Sequence, residues 1–250
     1  MPPKIQVLIK CLPSLFLIMM VFACNNPHKK VNSTRNNSTA GIKVKSNKND
    51  SVNAVLPFGS SILADYKFPE IWEYPLDEDS EKPNNPIQKK FYQLRKFYEK
   101  IEYSKATESL PTIKTIEWIS NDEDSSLIKH NKIKVDSFIY RLPQIGPYNC
   151  YFQNSGSIME RIKLDNQSIF CPIGILILYN PQTQQAKVLV IHLDYTYEDS
   201  FADFYRFYYI TKSKKIQIFE GMQGESTGKM KKTQEATISN DGKISIEKFK

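Results

Sequence analysis

Histidine, tryptophan, cysteine and glycine are all scarce in this sequence of 250 residues, which contains 3, 2, 4 and 9 of them respectively. Zinc sites need several cysteine, histidine or carboxylate ligands at close spacing. Neither Cys150 nor Cys171 has a second cysteine or a histidine within ligand spacing, so the chain shows no recognisable metal motif at these positions. We therefore expect neither a metal nor another cofactor.

A hydrophobic run long enough for a transmembrane helix is also missing from the N-terminus. The apolar stretch at residues 12–22 is interrupted by Pro13, and it is well short of the roughly 20 residues that a helix needs to cross a bilayer. Lys4 and Lys10 precede it, and a small residue follows it. This order is typical of a secretory signal peptide, so we expect residues 1–23 to be removed on export.

The residues around the expected cleavage point are Val21, Phe22, Ala23 and Cys24, and they resemble the lipobox of bacterial lipoproteins. The resemblance implies that cleavage precedes Cys24, that this cysteine carries fatty acyl chains such as palmitate, and that the protein is lipid-anchored in the cell envelope, on the periplasmic face or the outer surface. Phe22 stands where such a signal usually has a small or β-branched residue. An ordinary secretory signal cut near the same point is the alternative.

Residues 24–54 are rich in Asn, Ser, Thr and Lys and have few large apolar side chains. Such a segment cannot bury enough apolar surface to offset the entropy of ordering, so we predict a disordered tether. Within it, Asp50, Ser51 and Val52 resemble the O-glycosylation signal of Bacteroidota envelope proteins. The resemblance implies a glycan on Ser51, although a chance match is the favoured interpretation of so short a pattern.

The net charge of +7 is concentrated in the N-terminal segments. The signal peptide and tether hold eight of the 34 basic residues and one of the 27 acidic residues. Residues 55–250 are therefore formally neutral, and they lack the electrostatic basis for binding nucleic acid. We expect no nucleic-acid partner; the membrane, reached through the N-terminal lipid, is the partner that the sequence indicates.

Export also decides how the cysteines are interpreted. Cys11 lies in the signal peptide and Cys24 would carry lipid, which leaves Cys150 and Cys171 in an oxidising compartment. We predict a disulfide between these two, worth about 3 kcal/mol by the loop-entropy model. Two separate buried thiols are the alternative.

Residues 55–250 are predicted to form a single α+β domain. A helix is expected near residues 86–104, where Asn85 can cap, Pro86 suits the first turn, and apolar side chains recur every three or four positions. Short β-branched and aromatic runs predict strands at 116–119 and 133–140. Residues 66–85 are interpreted as an irregular segment that leads into the helix.

The last eighty or so residues predict six further strands with short polar connections. They lie at residues 173–179, 187–195, 204–211, 215–220, 232–239 and 243–249. Connections this short leave no room for crossover helices, so we predict a mainly antiparallel β-meander with the long amphipathic helix packed on one face.

Residues 224–228 read Gly-Glu-Ser-Thr-Gly, which matches the pattern of a nucleophile elbow at Ser226. That elbow needs a strand before it and a helix after it, whereas the flanks here are two predicted antiparallel strands. The same stretch has the wrong glycine spacing for a phosphate-binding loop, and Met230 stands where a hydroxyl is needed. We interpret it as a glycine-bearing loop.

The best catalytic candidates are His192 and Asp194, which are two residues apart in a predicted strand and would project from one face as an acid–base pair. Glu198, Asp199 and Asp203 could supply a carboxylate pair for glycan hydrolysis. A structural histidine among the neighbouring tyrosines is the plainer interpretation.

An aromatic cluster in the same region is denser than one strand needs for packing. Its members are Tyr195, Tyr197, Phe201, Phe204, Tyr205, Phe207, Tyr208 and Tyr209. Alternation would direct part of this cluster outward, and Tyr195, Tyr197, Tyr205 and Tyr208 are the candidate binding residues for a protein, peptide or glycan ligand. The alternative is that both faces of the sheet are covered.

Two classes of function are compatible with these features. The favoured one is a non-enzymatic binding or interaction module on the envelope, such as an accessory or immunity-type lipoprotein. The alternative is an envelope hydrolase that uses His192 with a neighbouring carboxylate.

Overall fold

Strands dominate the part of the chain that the computed structural model describes. It covers residues 53–77, 79, 82–102, 108–119, 133–154, 161–164, 167–170, 172–196 and 202–249. Several predicted features lie outside these residues: the signal peptide, Cys24, Ser51 and nearly all of the tether, and also Cys171, Tyr197, Glu198, Asp199 and Phe201.

The strands, in chain order, are β1 (Phe58–Gly59), β2 (Ile71–Glu73), β3 (Glu108–Ser109), β4 (Thr115–Ile119), β5 (Ser137–Phe138), β6 (Tyr140–Ile145), β7 (Tyr148–Asn154), β8 (Arg161–Leu164), β9 (Gln167–Phe170), β10 (Ile173–Asn180), β11 (Gln185–Thr196), β12 (Asp203–Ile210), β13 (Ile216–Gln223), β14 (Thr227–Ile238) and β15 (Ile244–Lys248). The helices are α1 (Ser61–Ala64) and α2 (Pro86–Glu102).

Helix α2 begins at a side-chain cap. The Oδ1 atom of Asn85 accepts hydrogen bonds from the backbone N–H groups of Ile87 at 2.9 Å and Gln88 at 3.1 Å. Pro86 occupies the first helical position, where the missing N–H breaks no intrahelical hydrogen bond. The buried apolar side chains of the helix recur three or four residues apart, at Phe91, Leu94, Tyr98 and Ile101.

The strands from β10 to β15 form a meander in which each strand pairs antiparallel with the next along the chain. β7 and β6 extend the same sheet beyond β10. The predicted α+β class with a mainly antiparallel sheet is therefore confirmed. Strand β4 departs from this pattern, because it runs parallel to β11.

The two halves of the sheet diverge between β11 and β12. These strands pair only where Leu193–Thr196 lies beside Asp203–Arg206. The first half of β11 pairs instead with β4, and the end of β12 pairs with β1. The ring of Phe58 in β1 lies between the halves, with its centroid 5.9 Å from that of Phe152 and 5.7 Å from that of Tyr208.

Two apolar clusters cover the two faces of the sheet. The main core lies on the α2 side and contains Leu176 and Leu178 of β10. The second core lies on the opposite face and contains Ile175 and Ile177 of the same strand. Alternation along β10 supplies both clusters, which explains why its residues from 173 to 179 are all buried.

The segment predicted to be irregular contains β2, which pairs with the start of β14. Trp72 in β2 is buried, and its indole N–H donates to Gln88 Oε1 of α2 at 3.0 Å. Gly228 makes this possible, since a Cβ at that position would lie 2.2 Å from two carbons of the indole ring. The sequence-based interpretation of residues 66–85 was therefore wrong at β2.

The chain joins the sheet at the end of the predicted tether. Asn53 forms a parallel bridge with Arg141, and the N–H of Ala54 donates to the Arg141 carbonyl at 2.9 Å. Ala54 is buried in the main core. Residues 53 and 54, at the end of the predicted tether, therefore pack against the sheet.

Cys150 is a free, buried thiol in the main core. Burial raises the pKa of this thiol to about 12, so it is neutral and unreactive at physiological pH. Its predicted partner, Cys171, lies outside the described residues. At Cys150 the structure therefore has the arrangement given as the alternative, a buried thiol, rather than the predicted disulfide.

Candidate functional site

His192 lies in the main core rather than on an accessible surface. It is 2% exposed, and its ring stacks on Tyr98 of α2 with centroids 5.4 Å apart and planes at 17°. The Nδ1 atom is 2.7 Å from the backbone carbonyl oxygen of Arg206. Sequence reasoning identified this histidine as the best catalytic candidate, but its surroundings are those of a structural residue that joins α2 to the sheet.

Asp194 and Asp203 belong to a polar cluster at one end of β11 and β12, together with Arg95, Tyr205 and Gln223. The hydroxyl of Tyr205 donates to Asp203 Oδ2 at 2.9 Å. The guanidinium carbon of Arg95 lies 4.7 Å from the centre of the Tyr205 ring, and its Nη1 donates to Gln223 Oε1 at 3.1 Å. The cluster thus ties α2 to three neighbouring strands.

The electrostatics of this cluster favour a neutral Tyr205. Burial is the main cause that raises the pKa of Tyr205; Arg95 opposes the shift, and Asp194 and Asp203 add to it. A phenol held protonated in this way can donate its proton to Asp203 in a stable hydrogen bond. Asp203 also accepts from Thr196 Oγ1 at 2.6 Å. These contacts explain the cluster as a structural joint.

Other catalytic or metal-binding arrangements receive no support from the residues that the structure describes. No group of three or more His, Cys, Asp or Glu side chains in that part of the chain could hold a metal ion. Ser226 lies in the turn between the antiparallel strands β13 and β14, where Gly224 N–H donates to the Thr227 carbonyl at 2.8 Å. A turn of this kind lacks the strand-to-helix geometry of a nucleophile elbow.

The predicted aromatic surface is divided between interior and exterior. Tyr205 and Tyr208 are both 0% exposed and belong to the main core, which corrects their assignment as binding residues. Tyr195 is half-buried and stacks on Phe204, with ring centroids 4.8 Å apart. Among the members of the cluster that the structure describes, the aromatic groups that face away from the main core are therefore Tyr195 and Phe204.

A groove of about 300 Å³ continues from this stacked pair across the outer face of the sheet, the face opposite the main core. Phe204 and Met222, which are half-buried, are directly opposite each other in β12 and β13. Ile71 of β2 is 65% exposed and is opposite Lys229 of β14. Apolar groups from three strands, β12, β13 and β2, therefore line the groove, and Lys229 of β14 lies between Met222 and Ile71.

Charged side chains also line the groove. Lys229, Lys231 and Glu70 line it and are exposed. Glu220 lines it too, but its Oε1 accepts from Nε of the buried Arg206 at 3.0 Å and from Nη2 at 2.7 Å. Because Arg206 neutralises Glu220, the two lysines of β14 give the groove a small positive excess.

Sequence reasoning missed this groove for two reasons. The apolar residues Ile71, Phe204 and Met222 are far apart along the chain, and β2 was not predicted. The signal that was available is the alternation of Lys229 and Lys231 with buried residues, which marks one exposed face of β14.

The described helices include none that is long and apolar enough to cross a membrane. Comparison of this chain with protein families, with curated proteins and with solved structures finds no match.

Proposed function

We propose that this chain is a lipid-anchored envelope protein that acts as a binding module, and that the groove on the outer face of the sheet is its ligand surface. The observation that carries the proposal is the groove itself, which is lined by apolar side chains together with Lys229 and Lys231. Concave apolar surfaces with a few polar groups at the border are the usual form of a binding site.

The anchor in this proposal is the acylated Cys24. It is supported by the order of the N-terminal segments and by the lipobox-like residues around the cysteine. A tether of the length of residues 24–52 has an r.m.s. span of roughly 30 Å. That span holds the folded domain clear of the lipid headgroups, so its groove can meet a partner from the envelope.

The ligand that fits the groove best is an extended peptide segment of a partner protein, with apolar and acidic side chains. Phe204 and Met222 offer contact area to the apolar groups, and Lys229 and Lys231 attract the acidic ones. In this proposal α2 serves as the long amphipathic helix that covers the opposite face. The outer face of β12 to β14 is then left for the ligand.

The alternative, an envelope hydrolase using His192, requires an imidazole that can reach a substrate. The ring is buried beneath Tyr98 and Phe207. Proton transfer to a substrate needs hydrogen-bond reach, so this position offers no support for the hydrolase.

The anchor is tested by metabolic labelling with an alkyne analogue of palmitate. We expect Cys24→Ala to lose the label completely, because the acylated atom is removed, while Cys11→Ala keeps the label, because that cysteine leaves with the signal peptide. Equal labelling of Cys24→Ala and the wild type would overturn the anchor without affecting the groove.

The ligand surface is tested with a photo-crosslinking amino acid in place of Ile71, irradiated in intact cells. We expect a discrete protein adduct. The double variant Lys229→Glu with Lys231→Glu should reduce the yield of this adduct by roughly five-fold or more, because the introduced carboxylates repel the acidic side chains of the partner. The same amino acid at Ile116, which is 43% exposed on β4, is the matched control and should give no such adduct.

Equal adducts at both positions would indicate random collision and would contradict the groove as the binding surface. An adduct that survives the double charge reversal would contradict the acidic character of the ligand.

A further inference from the structure

Strand β15 forms one edge of the large sheet. It pairs with β14 on one side, and among the residues that the structure describes no strand pairs with its other side. An open edge presents a row of backbone donors and acceptors to any strand that can lie beside it.

The hydrogen bonds at the two ends of the β14–β15 ladder show which backbone groups face outward. Ser239 N–H donates to the Lys243 carbonyl at 3.0 Å, and Phe249 N–H donates to the Thr233 carbonyl at 2.8 Å. In an antiparallel pair, alternate residues bond to the same neighbour. The backbone groups of Ile244, Ile246 and Lys248 therefore point to the open edge.

The side chains of this edge form two distinct rows. Ile246 is opposite Ala236, a residue of the main core, yet it is 37% exposed. Ile244 lies on the same face, two residues away. Lys243, Ser245 and Glu247 occupy the other face and are all exposed. The edge thus carries one row in which Ile244 and Ile246 continue the main core and the exposed Lys248 follows them, and a polar row that ends in opposite charges.

These two rows are complementary to themselves under a two-fold rotation at Ser245. The rotation places Ile244 opposite Ile246 of a second copy, so the exposed isoleucine gains an apolar neighbour. It also places Lys243 opposite Glu247 of the second copy, twice by symmetry. Opposite charges across a strand pair are stabilising, and like charges are destabilising.

Neighbouring registers lack this match. A two-fold axis at Ile246 places Glu247 opposite Ser245 and forms no ion pair, and an axis at Glu247 places two carboxylates face to face. The charge pattern therefore selects the register centred on Ser245.

We propose that two copies of this chain associate through antiparallel pairing of their β15 strands about a two-fold axis at Ser245, which joins their sheets into one. This interface is isologous, so it closes on itself as a dimer rather than growing into a filament. The interface involves neither the groove nor the lipid anchor, so the dimer can be tested independently of the proposed function.

The register is tested by cysteine cross-linking of the full-length protein in detergent under mild oxidation. A residue on the two-fold axis, at a position not bonded to the partner strand, has its Cα about 4.5 Å from its symmetry mate. We expect Ser245→Cys to form a disulfide-linked dimer in most of the protein. Thr237→Cys, which is opposite Ser245 on β14 and exposed on the same face but lies away from the axis, and the wild type should stay mainly monomeric in a non-reducing gel.

Charge reversal supplies a second, independent measurement. Sedimentation at equal concentrations should show fewer dimers for Glu247→Lys than for the wild type, and recovery when Lys243→Glu is added to it. Cross-linking of Thr237→Cys as efficient as that of Ser245→Cys would overturn the proposal. So would a wild type that sediments as a monomer at all concentrations, or a double reversal that fails to recover dimers while its thermal unfolding matches the wild type.

Discussion

Replacement of Phe91 with alanine is expected to lower the free energy of unfolding by about 3 to 5 kcal/mol, the range for large aromatic truncations in a core. Phe91 is 0% exposed. Its ring centroid lies 5.4 Å from Trp72, 5.5 Å from Tyr205 and 6.0 Å from Phe207. It is therefore the point at which α2 contacts both β2 and the meander, and chemical denaturation monitored by tryptophan fluorescence will measure the loss.

The matched control is Tyr92→Ala, one position along the same helix. Tyr92 is half-buried, and Lys96 lies over its ring, so its truncation should cost about 1 kcal/mol or less. Similar losses at the two positions would contradict the conclusion that the packing of Phe91 on the sheet makes this position special.

The meander was predictable from sequence because the residues that determine it are close together along the chain. Each of its strands is followed closely by the next, and the connections contain the turn chemistry that antiparallel pairing needs. Ser239, Asp241 and Gly242 form such a turn between β14 and β15, with Gly242 at a φ of 84°. A hairpin of this kind depends on a few adjacent residues, so its pattern can be recognised without knowing the rest of the fold.

Strand β2 was not predictable, because the residue that stabilises it lies far away along the chain. It has three residues, too few for a periodic pattern. It exists because Trp72 fits against Gly228, which lies far along the chain. No property of the sequence around Trp72 indicates that Gly228 will accommodate its side chain.

The candidate site shows the same limit in another form. Alternation indicated that part of the aromatic cluster would face outward, but not which part. A register shift between Gly174 and Ile175 interrupts the pairing of β10 with β11 just before His192. An extra residue at such a bulge changes the face to which the following side chains point. The face of His192 and Asp194 was therefore set by an irregularity that the sequence does not reveal.

The second large effect is expected at Glu220, whose carboxylate binds Arg206. Arg206 is 2% exposed, and both of its hydrogen bonds to Glu220 involve the single atom Oε1. Removing one partner of a buried ion pair costs more than the pair itself contributes, because the remaining charge keeps its desolvation cost. We expect Glu220→Ala to lower the free energy of unfolding by about 2 to 4 kcal/mol. This loss is smaller than that for a fully buried ion pair, because the side chain of Glu220 is 24% exposed.

The double variant Arg206→Met with Glu220→Leu separates the electrostatic cost of losing the Glu220 carboxylate from a loss of packing. Apolar side chains of similar volume in place of a buried pair are often neutral or stabilising, so this variant should unfold within about 1 to 2 kcal/mol of the wild type. The hydrogen bond from His192 is retained, because it uses the backbone carbonyl of Arg206.

Urea unfolding of the wild type, the single variants and the double variant gives the coupling energy of the pair directly. If the double variant is as unstable as Glu220→Ala, the loss comes from the shape of the side chains and the electrostatic explanation is wrong.

The same variants also test the groove, since Glu220 lines it. A double variant that folds normally and still gives the Ile71 adduct would show that Lys229 and Lys231, rather than the ion pair beneath them, determine the charge that a ligand meets.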